Sequence, residues 1–306
     1  MGQQALHSLG GAKAAAAVPT QEWDLPEATE DYPVALLALL KYVPELPPAT
    51  AVLGVTPEGQ PVLLDLQQGD VTHVLVCGRE NAGKTTLLQT MALSLALTNR
   101  QARLQLLVID HAPDDWTDGA SAWDSFNYLP HMLAPVMRQV NESADTLAFL
   151  AQEMEYRLRQ KIKAPVIVVV VDRLVSLLED GGQPVLDPLI RLAQRGADAG
   201  IHLLAATRRP GADSLHNLLR ANLTLRLVGQ VEDARQAQAA AAIANSQAEY
   251  LLGGGDFLAI VGDEPTPFQA AAFNRQDMNN CLHWLRQQPT TRLTAYPLSM
   301  RPRLAN

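Results

Sequence analysis

Cysteine is nearly absent from this chain. Its 306 residues include two, Cys77 and Cys281, each beside apolar neighbours and neither in a CxxC or other metal-ligand spacing. That excludes a disulfide framework or a zinc scaffold and fits a reducing compartment. Aromatics make up 5% of the residues, so Ala and Leu must do most of the filling in a chain that is 47% hydrophobic. Positive charge is in deficit: 24 Lys and Arg against 32 Asp and Glu leave a formal charge of −8. This excludes a protein that coats nucleic acid over its whole surface, while leaving room for a local basic stretch. Long apolar runs are missing too. A membrane span needs roughly 18 apolar residues, and Val34 to Leu40 is far shorter and bracketed by Pro33 and Pro44. No basic segment followed by an apolar one opens the chain, so no secretory signal is expected. The expectation is a soluble, cytoplasmic protein without direct membrane insertion.

What is present divides the chain in three. Residues 1–48 read as a leader, partly disordered: Gly10-Gly11, an alanine run at 14–17 and prolines at 19, 26, 33, 44, 47 and 48 interrupt any long element. One short helix is expected there, from Asp31 as N-cap to Tyr42, with Pro33 in its first turn. Residues 289–306 read as a tail, unfolded or docked on a neighbour. Between them, at 49–288, apolar strands alternate with helical segments. Strands are expected at 73–77, 104–110, 166–171, 201–207 and 223–228, with a closing hairpin at 257–261 and 269–273. Helices are expected at 84–97, 141–160, 185–197 and 277–288. The unbroken run Val166 to Val171 marks a central parallel strand covered on both faces. The fold class is α/β, one domain with a mostly parallel central sheet flanked by helices.

The chemistry begins at Gly78-Arg79-Glu80-Asn81-Ala82-Gly83-Lys84-Thr85, which fits GxxxxGK followed by Ser or Thr. It follows an apolar strand and opens a helix, the context in which such a loop cradles phosphates. Backbone N–H groups along it can converge on a β-phosphate, aided by the positive end of the helix. Lys84 would reach the β- and γ-phosphates, and the Thr85 hydroxyl would ligate Mg²⁺; with Thr86 these residues form the expected ATP site. The metal also needs an acid at a strand end. Asp172, after Val166 to Val171, is preferred because its strand is the more fully apolar, and Asp110, after Leu-Leu-Val-Ile, competes with it.

Further segments carry a family resemblance. Pro61-Val-Leu-Leu-Asp65-Leu66, His73 to Gly78, Leu129-Pro-His131-Met and Glu153-Met-Glu155 come first in order. Leu192 to Pro210, Leu219-Arg-Ala-Asn222 and Ala248 to Leu258 follow. Together they resemble the motor domain of the FtsK/SpoIIIE DNA translocases, of the HerA/FtsK branch of RecA-like P-loop ATPases. The resemblance implies a RecA-like ATPase that assembles as a hexameric homo-oligomer and moves double-stranded DNA through its pore, with ATP bound between subunits. It also implies an arginine that reaches a neighbour's γ-phosphate, for which Arg226, Arg209 and Arg208 are candidates; a structural ion pair is the alternative for each. Three departures stand out. The family's Asp-Glu pair is Asp172-Arg173 here, so the carboxylate that polarises water is replaced, and Glu179 is a conceivable substitute. The family's sensor Gln is Arg208. Neither membrane helices nor a winged-helix DNA reader can be discerned in these residues. The departure at Arg173 points to a nucleotide-binding subunit with weak hydrolysis. A type VII secretion ATPase, with a membrane-bound or secretion partner, is a third reading, to which Thr207-Arg208-Arg209 is similar.

Between Arg191 and Arg235 seven arginines face four acids, reversing the sign of the chain, and this stretch could contact DNA phosphates. His73, His131 and His202 read as packed core histidines, and Asp114-Asp115-Trp116 as a solvated loop. Gly253-Gly254-Gly255, after an Ala-rich helix, reads as a helix stop and strand entry, able to touch nucleotide across an interface.

Overall fold

The computed structural model describes residues 7–9, 25–27, 32–43, 45–67, 71–111 and 121–288. The expected N-cap at Asp31, the Asp114-Asp115-Trp116 cluster and the tail lie outside the described residues. Among the described residues ten strands make one sheet: β1 (His7–Leu9), β2 (Thr50–Val55), β3 (Pro61–Asp65), β4 (Val74–Cys77), β5 (Leu104–Asp110), β6 (Val166–Asp172), β7 (Ile201–Thr207), β8 (Leu225–Gly229), β9 (Asp256–Val261) and β10 (Glu264–Ala270). Among the described residues seven α-helices accompany them: α1 (Leu36–Tyr42), α2 (Lys84–Thr98), α3 (Val140–Gln160), α4 (Leu174–Arg195), α5 (Asn217–Asn222), α6 (Ala234–Ala241) and α7 (Arg275–Gln287).

The sheet order is β1-β3-β2-β10-β9-β8-β4-β7-β6-β5. Five strands, β8-β4-β7-β6-β5, are mutually parallel, and β9 turns antiparallel to β8. Side chains alternate between two buried faces, as the period of a strand requires. Val166, Val168 and Val170 point to one core, with Leu87, Leu88 and Met91 of α2. Ile167, Val169 and Val171 point to the other, with Leu150 and Met154 of α3 and Leu177, Leu189 and Leu192 of α4. Helices on both faces are what an all-apolar parallel strand needs. From β4 the chain crosses by α2 on one face to the edge strand β5. It returns through α3, α4 and α5 on the other face, past β4 to β8. Strand β4 is therefore a topological switch point, where a crevice opens at the carboxyl edge of the sheet.

Strands β1 and β3 and helix α5 have no counterpart among the expected elements, and three more elements differ from expectation. Strand β2 lies just past the prolines of the leader, and its side chains are buried from Thr50 to Gly54. Helix α4 starts at Leu174 rather than near Val185, because the chain bends at Gly182 (φ 55°, ψ −145°) and a second helical stretch follows. Strand β10 begins at Glu264, after a two-residue turn, and not at Gln269. Pro265 and Pro267 are accommodated there because β10 meets β2 only at Gln269 and Ala270, so its other edge needs no donors earlier. Among the described residues no helix is long and apolar enough to cross a membrane.

Candidate phosphate-loop site

Five strand ends converge on the crevice. Cys77 of β4 is level with Thr207 of β7 and Val228 of β8, and Asp172 of β6 is level with Asp110 of β5. The loop from Gly78 to Gly83 is held from below. The Arg79 N–H donates to the Gln230 carbonyl at 2.7 Å, and the Ala82 side chain is fully buried. Gly83 (φ 95°) takes a left-handed backbone, and a Cβ on it would lie 3.2 Å from Gly255 N, so both the turn and the close approach call for glycine. Asn81 is left-handed too (φ 60°), a conformation its short polar side chain tolerates. Helix α2 starts at Lys84, and as at any helix start its first N–H groups lack intrahelical acceptors and face the loop. Lys84 Nζ donates to the Arg79 carbonyl at 2.6 Å. Burial pulls this ammonium below its ordinary pKa, against the pull of the Asp172 carboxylate in the other direction.

Asp172 is the acid that the fold brings to the loop. Its Oδ2 accepts from Thr85 Oγ1 at 2.7 Å and from Trp123 Nε1 at 3.2 Å, and its Oδ1 accepts the Arg173 N–H at 3.0 Å. The side chain is 4% exposed. A carboxylate and a hydroxyl held together beside a lysine and a helix N-terminus are the hard-oxygen donors that Mg²⁺ takes alongside phosphate. Among the described residues no group of three or more His, Cys, Asp or Glu converges. A divalent ion here would complete its shell with phosphate and water oxygens.

Asp110 stands beside Asp172 but is otherwise engaged. It accepts from the Ser121 hydroxyl and from Arg173 Nη1 at 3.2 Å; Arg173 also donates to the His111 carbonyl at 3.1 Å. Arg173 thus puts a guanidinium in the crevice where the resemblance implies a carboxylate. Glu179 does not replace that carboxylate: it pairs with Arg209 and accepts from Ser214 Oγ at 3.3 Å. Arg208 pairs with Glu80 of the loop at 3.1 Å. Arg226 is placed differently from the role expected for it. It is 9% exposed, with its guanidinium on the carbonyls of Ala240 (3.2 Å) and Arg220 (3.3 Å), because the alternation of β8 turns it into the second core. Of the arginines named for a contact between subunits, Arg208 and Arg209 are the exposed ones. The glycine triplet leads into β9 at Asp256, as expected, but it is not a helix stop. Helix α6 ends at Ala242 in a left-handed cap, and Gly255 instead abuts Gly83 of the same chain.

The sequence reading missed Trp123 and Gln230. Both are long-range contacts to the site with no local signature, and Trp123 follows a stretch that reads only as loop.

Residues 41–164 match the sequence profile of the FtsK/SpoIIIE family. Over that stretch the chain is similar to that family. It is 28% identical over 264 residues to the DNA translocase SftA of Bacillus subtilis (strain 168), which covers 79% of this chain and 27% of that protein. The chain therefore spans about a quarter of that relative's length. Among solved structures, the cytoplasmic domain of the Thermomonospora curvata type VII secretion ATPase EccC is similar, with TM-score 0.67 and 20% identity, over 84% of this chain and 33% of that one. The pCW3 conjugation coupling protein TcpA, in a monomer form with ATPγS, is similar with TM-score 0.65 and 20% identity, over 78% of this chain and 71% of that one. At such identity the structures speak to fold: this is the α/β fold of P-loop ATPases.

Proposed function

We propose that residues 49–288 form an ATP-binding motor module that couples hydrolysis to the movement of double-stranded DNA as a ring oligomer. The observation that carries this is the Thr85–Asp172 contact at 2.7 Å, at the mouth of a glycine-held loop on the switch-point strand. In this reading the loop N–H groups and the start of α2 bind the phosphates. Lys84 moves from the Arg79 carbonyl to the β- and γ-phosphate oxygens. Thr85 and Asp172 hold Mg²⁺, which neutralises charge developing on the transferred phosphoryl group. Arg209, exposed beside the end of β7, is the arginine offered to a neighbouring subunit. DNA as cargo is supported by the family relationship, by the DNA translocase SftA and by the arginine-rich stretch from Arg191 to Arg235.

Steady-state ATP hydrolysis tests this, measured with and without long double-stranded DNA at a concentration where oligomers form. Turnover raised by DNA, with a stimulation that falls as salt rises, is the expected outcome. Turnover indifferent to DNA would favour protein as cargo, as in a secretion ATPase.

A second reading rests on Arg173. A guanidinium on Asp110 stands where a water-orienting carboxylate is expected, and general-base assistance is worth about 10²–10⁴ in rate. A subunit that binds Mg·ATP tightly and hydrolyses it slowly would follow.

A further inference from the structure

Two carboxylates stand level at the ends of neighbouring strands, Asp110 on β5 and Asp172 on β6. Their hydrogen-bond donors set them apart. Asp110 accepts from the Arg173 guanidinium, which offsets its charge, and from the Ser121 hydroxyl. Asp172 accepts from the Thr85 hydroxyl, the Arg173 backbone N–H and the Trp123 indole N–H, and all three are neutral. Neutral donors fix the direction of a carboxylate without cancelling its charge, which suits an acid that is to receive a cation.

The indole reaches Asp172 from a separate part of the chain. Trp123 ends the turn Ser121 to Trp123, just ahead of a 3₁₀ segment (Asp124–Tyr128). This turn is fastened on three sides. The Ser121 hydroxyl, while donating to Asp110, accepts the Trp123 N–H at 2.9 Å. The Ala122 carbonyl accepts from Gln89 Nε2 at 2.6 Å. Gln89 lies four residues beyond Thr85 on α2, so one helix face carries both the Thr85 hydroxyl and the anchor of the turn. The Ser121 N–H donates to Asp124 Oδ2 at 3.0 Å, and Asp124 pairs with Arg138. The indole itself is fully buried and meets Phe126 edge to face, with ring centroids 4.8 Å apart. A ring wedged in this way has little freedom, and its N–H lies 3.2 Å from Asp172 Oδ2.

We propose that Trp123 is a positioning residue of the metal site: its indole N–H holds the Asp172 carboxylate in the orientation in which it receives Mg²⁺ together with Thr85. The inference rests on the reading of Gly78 to Thr86 as the phosphate site and of Thr85 and Asp172 as the groups that hold the metal. Trp123 touches neither nucleotide nor ion in this arrangement and acts through the acid.

Titration calorimetry on the full chain compares two probes, Mg·ATP and ATP with EDTA. Trp123→Phe keeps an aromatic ring against Phe126 and deletes the donor. It is expected to weaken Mg·ATP about ten-fold, the low end of the loss on removing a partner that orients a metal ligand, and to leave ATP with EDTA unchanged. Unchanged Mg·ATP affinity overturns the proposal. So does an equal loss for both probes, which would make the indole a packing group alone. Should Trp123→Phe fail to fold, a chain in which the other three tryptophans, Trp23, Trp116 and Trp284, are replaced by Phe answers the same question with the indole in place. Its emission should change when Mg²⁺ joins the ATP complex and not when ATP binds with EDTA; emission blind to Mg²⁺ overturns the proposal. An unmutated chain that binds ATP no better with Mg²⁺ than with EDTA refutes the Thr85–Asp172 metal site. One that binds neither probe refutes the phosphate loop, and both results are distinct from a failure of Trp123 alone.

Discussion

Arg173 decides more at the residue scale than any other single side chain. It follows Asp172, the acid proposed to hold the metal, in a left-handed backbone (φ 61°, ψ 44°), donates its N–H to that carboxylate, and sends its guanidinium to Asp110, whose side chain is 5% exposed. It is therefore both a brace for the site and the counter-charge of a buried carboxylate. Arg173→Glu restores the family's acid and removes that counter-charge in one step. In the absence of metal it sets a third carboxylate beside Asp110 and Asp172, and a loss of about 1–3 kcal/mol in unfolding free energy is expected. Mg·ATP should narrow that gap, since a divalent ion compensates the added charge, and turnover should rise relative to the unmutated chain. Urea unfolding with and without Mg·ATP, next to steady-state turnover, checks both halves. Wild-type turnover in a well-folded variant would mean that another group already orients the water. The replacement itself was readable from the sequence, because the acid pair has a fixed place after a β-branched strand. Its contact with Asp110 was not, because that contact depends on the register of two strands whose ends are 62 residues apart.

At the scale of elements, what could be read was what repeats. The parallel strands announced themselves as apolar runs, and α3 and α7 as periodic segments between polar ones. What escaped was interrupted. Strand β2 sits directly after Pro47 and Pro48, and the first half of α4 runs into Gly181-Gly182-Gln183-Pro184, a stretch that reads as a loop. The structure carries the helix across that stretch by one residue. Gly182 at φ 55° and ψ −145° occupies a region that side chains with a Cβ do not share, while nothing else lies within 4 Å of the position a Cβ would take. Gly182→Ala therefore tests backbone conformation free of steric contact. A loss of about 1–3 kcal/mol is expected in denaturant unfolding, whereas Gln183→Ala, on the exposed side of the same bend, should change little. Equal, small effects at both positions would show that the bend relaxes at no cost. Arg226 teaches a related point. Matching its position suggested a strand-end arginine, but β8 places it level with Leu75 of β4, inside the sheet rather than at its rim.

Two properties belong to the whole molecule. One is acid sensitivity. His73 and His202 lie in the core with ring centroids 6.1 Å apart, and burial holds them neutral, His73 down to about 3 and His202 to about 4. Their folded pKa values are below the unfolded value of about 6.5, so above that pH neither state binds the protons and no stability is at stake. As pH falls below it, the unfolded chain gains protons that the native state refuses. Stability should drop by up to about 1.4 kcal/mol per pH unit for each histidine, and the window from pH 6.5 to 5 lies above the carboxylate range. Urea midpoints at pH 7, 6 and 5 measure it; a flat profile would mean that both rings protonate in place. The other property is completion of the site by a second copy. Every group that binds phosphate in this reading lies within one chain, whereas Arg209 is directed to the rim, tied to Glu179, and has no contact with the loop among its hydrogen bonds. If it serves a neighbour, the two defects Lys84→Ala and Arg209→Ala lie in different half-sites. Each variant alone should be nearly inactive, the first for want of ATP, the second for want of the arginine. Mixed, they should regain part of the turnover, because some interfaces then join an intact phosphate loop to an intact arginine. At a one-to-one mixture with random assembly, a quarter of the interfaces pair the two intact halves, which sets the ceiling at about a quarter of the unmutated rate. Titrating one variant into the other while following turnover gives the answer: recovery that peaks near equal amounts places Arg209 across the interface, and none at any ratio confines it to its own subunit's ion pair.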